Sequence, residues 1–271
     1  MIDFIKKAKY SFHCKHCEGI SEVENPKHHP SYEITLDCNL DCIFCYSKIA
    51  KSMGIPKPGY YGDMNPKAIT ISQFGEPLLV GEKEVLRIAR ALRDIFGEIR
   101  LDLQTNGVLL TKKLCEEFDI VMISLDASSK ESYRKITKRD FFERVVENIK
   151  MSSGVAYTIV RTVFMPGVNE KELKKIAEIA SIANELFIQP LSIYRENREL
   201  LERVEVERAE SIGEFLRFAS ELSEIAEIRL PGCVLFNLKR ALDKFGDEIV
   251  FIRRNAFADF PEIRRDWRFK I

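Results

Sequence analysis

Ser31-Tyr-Glu-Ile-Thr-Leu-Asp-Cys38-Asn-Leu-Asp-Cys42-Ile-Phe-Cys45 joins an alternating β-branched and aromatic run to three cysteines within eight residues. The run from Ser31 to Leu36 predicts a strand, so the thiols stand at a strand's C-terminal end. Thiolates are soft ligands, and in a reducing compartment closely spaced cysteines serve metals or clusters more often than disulfides. Spacings of three and two residues let one loop wrap three corners of a cubane. Three thiolates leave one iron of a [4Fe-4S] cluster open, where ferredoxin-type carriers use four. The competing reading is a zinc knuckle or a chance cluster of thiols, although zinc sites favour paired C-x2-C units.

Beyond the cysteine loop the chain alternates strand and helix. Lys67 to Gln73 predicts a second strand, followed by Phe74-Gly75-Glu76-Pro77 and a helix over Glu82 to Phe96. A third strand, Ile99 to Gln104, ends in Thr105-Asn106-Gly107, and a short helix follows over Lys112 to Phe118. The fourth strand, residues 120–126, is apolar until Ser124 and Asp126, as a strand buried on both faces of a parallel sheet must be. Helices over 130–136 and 141–151 lead to a fifth strand, Ala156 to Phe164. Asn169 is read as the N-cap of the next helix, whose apolar residues Leu173, Ile176, Ile179 and Ala180 recur at helical spacing. Leu186 to Leu191 is a sixth strand, and a helix over 209–222 with the strand AEIRLPGC forms a seventh unit. The pattern predicts an α/β fold, a parallel sheet closed or partly closed into a barrel. Residues 1–30 read as an amino-terminal extension carrying candidate metal ligands, 31–191 as the barrel core, and 192–271 as a carboxy-terminal extension packing on it.

Composition narrows the function classes. The 271 residues are 45% hydrophobic and 31% charged, enough apolar material for a sizeable core and no case for disorder. Lys plus Arg and Asp plus Glu both number 42, so no global field points to nucleic acid or to a membrane surface. The opening Met-Ile-Asp-Phe-Ile-Lys-Lys has too short an apolar part for a signal peptide, and no run approaches a membrane span, which predicts a cytoplasmic protein. Seven cysteines, five of them between positions 14 and 45, favour metal over disulfides there.

Catalytic residues of parallel α/β barrels gather at the strands' C-terminal ends, where the loops converge on one mouth. Those ends carry the cysteine triplet, Phe74-Gly75-Glu76-Pro77, Thr105-Asn106-Gly107, Ser124 with Asp126, Arg161 within its strand, and Gln189-Pro190. Each tripeptide alone reads equally well as a turn or a helix cap. In this order after C-x3-C-x2-C, with Phe44 immediately before the third cysteine, they resemble the radical S-adenosylmethionine (SAM) superfamily over residues 31 to 191.

The resemblance implies a partial (β/α)6 barrel of the radical SAM type with amino- and carboxy-terminal extensions, and a [4Fe-4S] cluster on Cys38, Cys42 and Cys45. It implies that the amine and carboxylate of SAM chelate the open iron, that an electron from the reduced cluster cleaves the sulfonium, and that a 5′-deoxyadenosyl radical abstracts a substrate hydrogen. Gly75, Glu76 and Pro77 match the family's glycine–glutamate–proline turn, whose backbone receives the SAM amine; Phe74 stands where a first glycine is common. On this reading Gly75 leaves room for the approach of SAM. Asn106, Ser124 and Asp126 match positions that bind the ribose and methionyl parts. Arg161 is the candidate for the methionine carboxylate, since a guanidinium meets a carboxylate in bidentate geometry; a structural acid beside it is the alternative. Molybdenum-cofactor biosynthesis enzyme A-like members and activating enzymes have the nearest patterns.

Two further thiols, Cys14 and Cys17, precede the first strand, as do all four histidines, including His28 and His29. Either Cys14 and Cys17 with His28 or His29 hold zinc, or Cys14 and Cys17 join Cys233, at the end of the AEIRLPGC strand, around a second iron–sulfur cluster. Three-cysteine auxiliary clusters with an open iron occur in the resembled superfamily. The first and last strands would become neighbours if the barrel nearly closes, bringing those thiols to one rim. The remaining reading is free thiols on an ordered arm, and Cys115, beside Leu114 and Phe118, reads as a core thiol.

Three function classes follow: a radical SAM enzyme acting on a small molecule, peptide or protein with an external electron donor; an iron–sulfur or zinc protein that binds or transfers electrons; and an activase delivering its radical to a partner protein. The series of strand-end motifs separates the first from the second, because an electron carrier has no need of a SAM cleft.

Overall fold

In the computed structural model, which describes residues 1–17, 29–197, 199–246 and 266–271, one ten-stranded sheet runs through the described residues. His28 and most of the tail from Asp247 lie outside them. The strands are β1 (Lys9–Tyr10), β2 (Ser31–Glu33), β3 (Gly59–Tyr61), β4 (Ala68–Ile71), β5 (Arg100–Thr105), β6 (Ile120–Ser124), β7 (Tyr157–Phe164), β8 (Glu185–Pro190), β9 (Ile228–Leu230) and β10 (Trp267–Phe269). The helices are α1 (Ile2–Lys7), α2 (Ser47–Met53), α3 (Glu82–Phe96), α4 (Lys112–Glu117), α5 (Lys130–Thr137), α6 (Phe142–Ser153), α7 (Leu173–Ala180), α8 (Val206–Ala209), α9 (Ile212–Leu222) and α10 (Gly232–Phe245).

The sheet order is β1-β9-β8-β7-β6-β5-β4-β2-β3-β10. The six strands β2 and β4 to β8 run parallel as expected, and β9 continues them. This is the partial (β/α)6 barrel. β3 and β10 add an antiparallel edge beyond β2.

Period-two alternation divides the sheet into two faces. Leu101, Leu103, Val121, Ile123 and Val160 join the main core with the amphipathic helices, among them α3 through Val85, Leu86, Ile88, Ala89 and Leu92. Ile120, Met122, Ile159 and Phe187 form a separate apolar cluster on the other, concave face. Ser124 and Arg161 continue that concave face and sit directly opposite each other across β6 and β7.

The structure corrects four local expectations. The first strand ends at Glu33 instead of Leu36, because the next N–H, that of Ile34, donates to the Ser72 hydroxyl and leaves the ladder. Asn169 is fully buried and does not cap the following helix with its side chain: its Oδ1 accepts from the Met165 N–H, and its Nδ2 donates to the Asp126 and Val163 carbonyls. The last parallel strand stops at Leu230, so Cys233 lies in the first turn of α10. The barrel stays open, with five strands between β2 and β9. The amino-terminal arm reaches the Cys233 side by another route, pairing Lys9 and Tyr10 in parallel with Arg229 and Leu230.

Candidate active site

The arm that begins in β1 crosses the concave face toward β5. At its start the Ser11 N–H donates to the Leu230 carbonyl, and the Ser11 hydroxyl and Phe12 N–H both donate to the buried Glu185 carboxylate. Farther along, His13 Nδ1 meets Asp102 Oδ2 at 2.6 Å, while Arg100 reaches Asp102 and the carbonyls of Phe12, His13 and Lys15. Asp102 is fully buried; burial alone would raise its pKa, but His13 and Arg100 outweigh it and hold the carboxyl below the ordinary range.

Above the arm the concave face opens into a cavity of about 700 Å³, lined by both sets of cysteines, Cys38, Cys42, Cys45 and Cys14, Cys17, Cys233. The triplet loop is anchored by its neighbours. Asp41 and Ile43 donate their N–H groups to the carbonyls of Thr137 and Ile136 at the end of α5. The Leu40 N–H and Asn106 Nδ2 point at the Cys38 sulfur, at 3.4 and 3.7 Å. Burial raises the pKa of Cys38 and, more strongly, of Cys42, and neighbouring thiols add to both.

The turn after β4 is held by two acids. Glu33, buried at the end of β2, accepts the N–H groups of Gln73 and Phe74, and burial raises its pKa. Glu76, 1% exposed, accepts Thr105 Oγ1 at 2.8 Å, the Leu78 N–H at 3.1 Å and the Asn106 N–H at 2.6 Å. Burial pushes its pKa up to about 7 despite these donors. Glu76 therefore joins the turn carrying Gly75 to the turn carrying Asn106. Gly75 has φ +65°, and a Cβ there would lie 2.2 Å from the Thr35 carbonyl oxygen and 2.9 Å from that of Asp37. The crowding at Gly75 thus comes from the backbone leading into Cys38, which corrects the view that the glycine only clears space for a ligand.

The other expected residues divide by location. Phe44, Gly75, Glu76, Asn106, Ser124, Asp126 and Arg161 line the cavity, whereas Pro77 is buried at the start of a 3-10 turn behind it. Asp126 accepts the Val163 N–H at 2.8 Å, and burial pushes its pKa up to about 6. Arg161 donates to Gln104 Oε1 at 2.7 Å and to Ser124 Oγ at 3.1 Å, both neutral, so no acid fixes it in these contacts. Asn106 Nδ2 also donates to Asn39 Oδ1 at 2.6 Å, tying its turn to the cysteine loop. Cys115 is a core thiol, 1% exposed and 3.9 Å from the Met151 sulfur.

The donor set fits an iron–sulfur cluster with a ligand beside it. Three sulfurs come from one anchored loop, and the buried hydroxyl of Tyr133, which lines the same cavity, has no hydrogen-bond partner among the described residues. A buried donor of that kind is normally satisfied by something in the space it faces. Among the described residues, the group of three His, Cys, Asp or Glu residues whose ligand atoms all lie within 4.8 Å of one another is His13, His29 and Asp102. Neither cysteine set forms such a group, whereas the sulfurs around a tetrahedral zinc ion, with Zn–S bonds of about 2.3 Å, lie closer together than that. His29 turns its Nε2 to the His13 carbonyl, which leaves its buried Nδ1 without a partner among the described residues.

Sequence reasoning passed over Glu33, Asp102, Glu185 and Tyr133. The available signal for three of them was an acid inside or at the end of a largely apolar strand, a position that requires a buried partner.

Comparison with known proteins agrees with this geometry. Residues 32–180 match the family model of the radical SAM superfamily. An uncharacterized protein of Methanocaldococcus jannaschii is 37% identical over 97% of this chain and 93% of its own length. A probable GTP 3′,8-cyclase of Saccharolobus islandicus is 25% identical over 72% of this chain and 66% of its own. The GTP 3′,8-cyclase of Petrotoga mobilis is 32% identical over 54% of this chain and 50% of its own. The chain thus spans about half to two thirds of the length of these cyclases. Among solved structures, TYW1 with a lysine-pyruvate adduct bound superposes with a TM-score of 0.50 at 21% identity, covering 83% of this chain and 81% of that one. SuiB of Streptococcus suis bound to S-adenosylmethionine gives 0.51 at 14% identity, covering 82% and 51%. Both share the fold.

Proposed function

The chain belongs to the radical SAM superfamily, and from that premise we propose that Cys38, Cys42 and Cys45 hold the family's [4Fe-4S] cluster and that the cavity beside them takes SAM. The observation that carries this assignment is the convergence of the three thiols, the Arg161 guanidinium and the unpartnered Tyr133 hydroxyl on one cavity. When bound, the cluster and SAM supply one-electron reductive cleavage of a sulfonium C–S bond and a 5′-deoxyadenosyl radical that takes a hydrogen atom from the substrate.

The chain's own residues bind, orient and keep out water. Arg161, whose hydrogen-bond partners are both neutral, offers its charge to the methionine carboxylate. Glu33 and Glu76 fix the two turns that wall the SAM cleft, acting as positioning residues. Asn106 braces the cysteine loop through Asn39 and keeps its side chain at the cavity wall. Phe44, Tyr46, Phe74 and Tyr194 line the same space and exclude water from a reactive radical. An external one-electron donor reduces the cluster.

The wall also bears on the substrate. Arg161 is the one Lys or Arg among the described residues that line the cavity, and the carboxylate of SAM takes it. A nucleoside triphosphate needs several cations, so the described wall favours a substrate of low charge, in contrast to the GTP named for the cyclases. No helix among the described residues is long and apolar enough to cross a membrane.

Reduced, anaerobically reconstituted protein given SAM is expected to form 5′-deoxyadenosine, and GTP is expected to leave that rate unchanged. A low-molecular-weight cell extract should raise it. GTP consumed in step with 5′-deoxyadenosine would overturn the substrate reading; no 5′-deoxyadenosine under any condition would overturn the cofactor assignment.

A further inference from the structure

Six of the chain's seven cysteines line one cavity, and they come from three separate parts of the sequence. Three belong to the loop after β2. The other three, Cys14, Cys17 and Cys233, come from the amino-terminal arm and the first turn of α10, and the structure seats them together. The Gly232 N–H points at the Cys14 sulfur at 3.3 Å, across 218 residues of sequence. The Cys17 N–H donates to the Cys14 carbonyl at 3.0 Å, so the C-x-x-C segment forms a turn that presents both sulfurs from one short stretch. Cys14 and Cys17 are each 8% exposed, Cys233 is half-buried, and none is in a disulfide.

The arm is built to stay in place. Pairing of β1 with β9, the Ser11 and Phe12 contacts to Glu185, and the His13–Asp102–Arg100 network hold it on the amino-terminal side of the Cys14 turn. Such a set of buried acids and a buried guanidinium is a costly way to anchor an arm that only covers the core. Nearby, the buried Nδ1 of His29, which lines the same cavity, has no partner among the described residues.

We propose that Cys14, Cys17 and Cys233 ligate a second iron–sulfur cluster, facing the first across the cavity in which the substrate reacts. The three sulfurs line one cavity without all lying within 4.8 Å of one another, a spread wider than the ligands of one tetrahedral ion and open to a polynuclear cluster. An N–H···S bond from Gly232 is the kind of contact that tunes the potential of such a cluster. The inference rests on the reading above only in that the two sites share one cavity.

The test is metal and sulfide content with electron paramagnetic resonance of the reduced protein, measured on the full chain after anaerobic reconstitution. With two four-iron clusters the wild type carries about eight irons per chain. The Cys38→Ala, Cys42→Ala, Cys45→Ala variant and the Cys14→Ser, Cys17→Ser, Cys233→Ser variant each retain half, with distinct resonance spectra. Wild type with half that iron, all of it lost in the first variant, overturns the proposal, as does zinc in place of the second set of irons. If the first variant does not fold, the second decides alone: a halved iron content supports the cluster, and an unchanged one removes it. Wild type with the full iron content but no SAM cleavage leaves this proposal standing while removing the assignment of the SAM cleft.

Discussion

Glu76 holds Asn106 in place: its Oε2 accepts the Asn106 backbone N–H at 2.6 Å while its Oε1 accepts the hydroxyl of Thr105 at 2.8 Å. One carboxylate therefore couples the turn after β4 to the turn after β5, and through Asn106 and Asn39 to the loop that bears Cys38.

Replacing Glu76 by Gln turns one acceptor into a donor that faces the Asn106 N–H. The expected cost is about 1–3 kcal/mol of stability, the usual effect of leaving a buried polar group unpaired, with weaker SAM binding by equilibrium dialysis. The pH dependence follows from burial. The folded pKa of about 7 lies above the ordinary 4.5, so the native state binds the extra proton between those values and stability falls as pH rises through that window. The unfolding midpoint of the apoprotein should decline more steeply from pH 4.5 to 7 in the wild type than in Glu76→Gln; parallel profiles would show that Glu76 does not titrate there.

Gly75→Ala tests the packing of the cysteine loop. With φ +65° and a carbonyl oxygen 2.2 Å from the new methyl group, the Thr35–Asp37 backbone must move. Left-handed backbone alone costs a non-glycine residue about 1–2 kcal/mol. Iron uptake at the first cluster should fall along with SAM affinity. Normal iron content with only SAM affinity reduced would return Gly75 to a role at the ligand.

Much of this architecture is legible in the sequence because the signals are periodic. The apolar run 120–123 and the amphipathic stretch 82–96 correspond closely to β6 and α3, and C-x3-C-x2-C followed by the strand-end turns led to the family. The remainder depends on contacts between distant residues. A two-residue strand such as Lys9–Tyr10 has no periodicity to read, yet it brings Cys14 toward Cys233. Asn169 has the residue type of a cap, but three buried hydrogen bonds to other backbone claim its side chain. Asp102 and Glu185 look like ordinary strand acids until the arm that they anchor is in place.

Asp102→Asn tests that anchor. The substitution leaves the Arg100 guanidinium, whose side chain is only 11% exposed, without its buried counter-charge, a change worth about 3–5 kcal/mol. Because the folded pKa of Asp102 is depressed, its contribution is present above the ordinary value of 3.8 and is lost as pH falls below it. Limited proteolysis should cut the amino-terminal arm of the variant at neutral pH while the wild type resists until acid conditions. Equal resistance of the two proteins would show that the network does not hold the arm.

The most direct measurement of the central claim is 5′-deoxyadenosine formed from SAM by reduced, reconstituted protein, compared between the wild type and the Cys38→Ala, Cys42→Ala, Cys45→Ala variant. Circular dichroism of both confirms that the fold is kept. The wild type is expected to form 5′-deoxyadenosine and methionine in equal amounts, and the variant none. A folded variant that still forms 5′-deoxyadenosine would contradict the assignment of these three cysteines to the cluster that cleaves SAM.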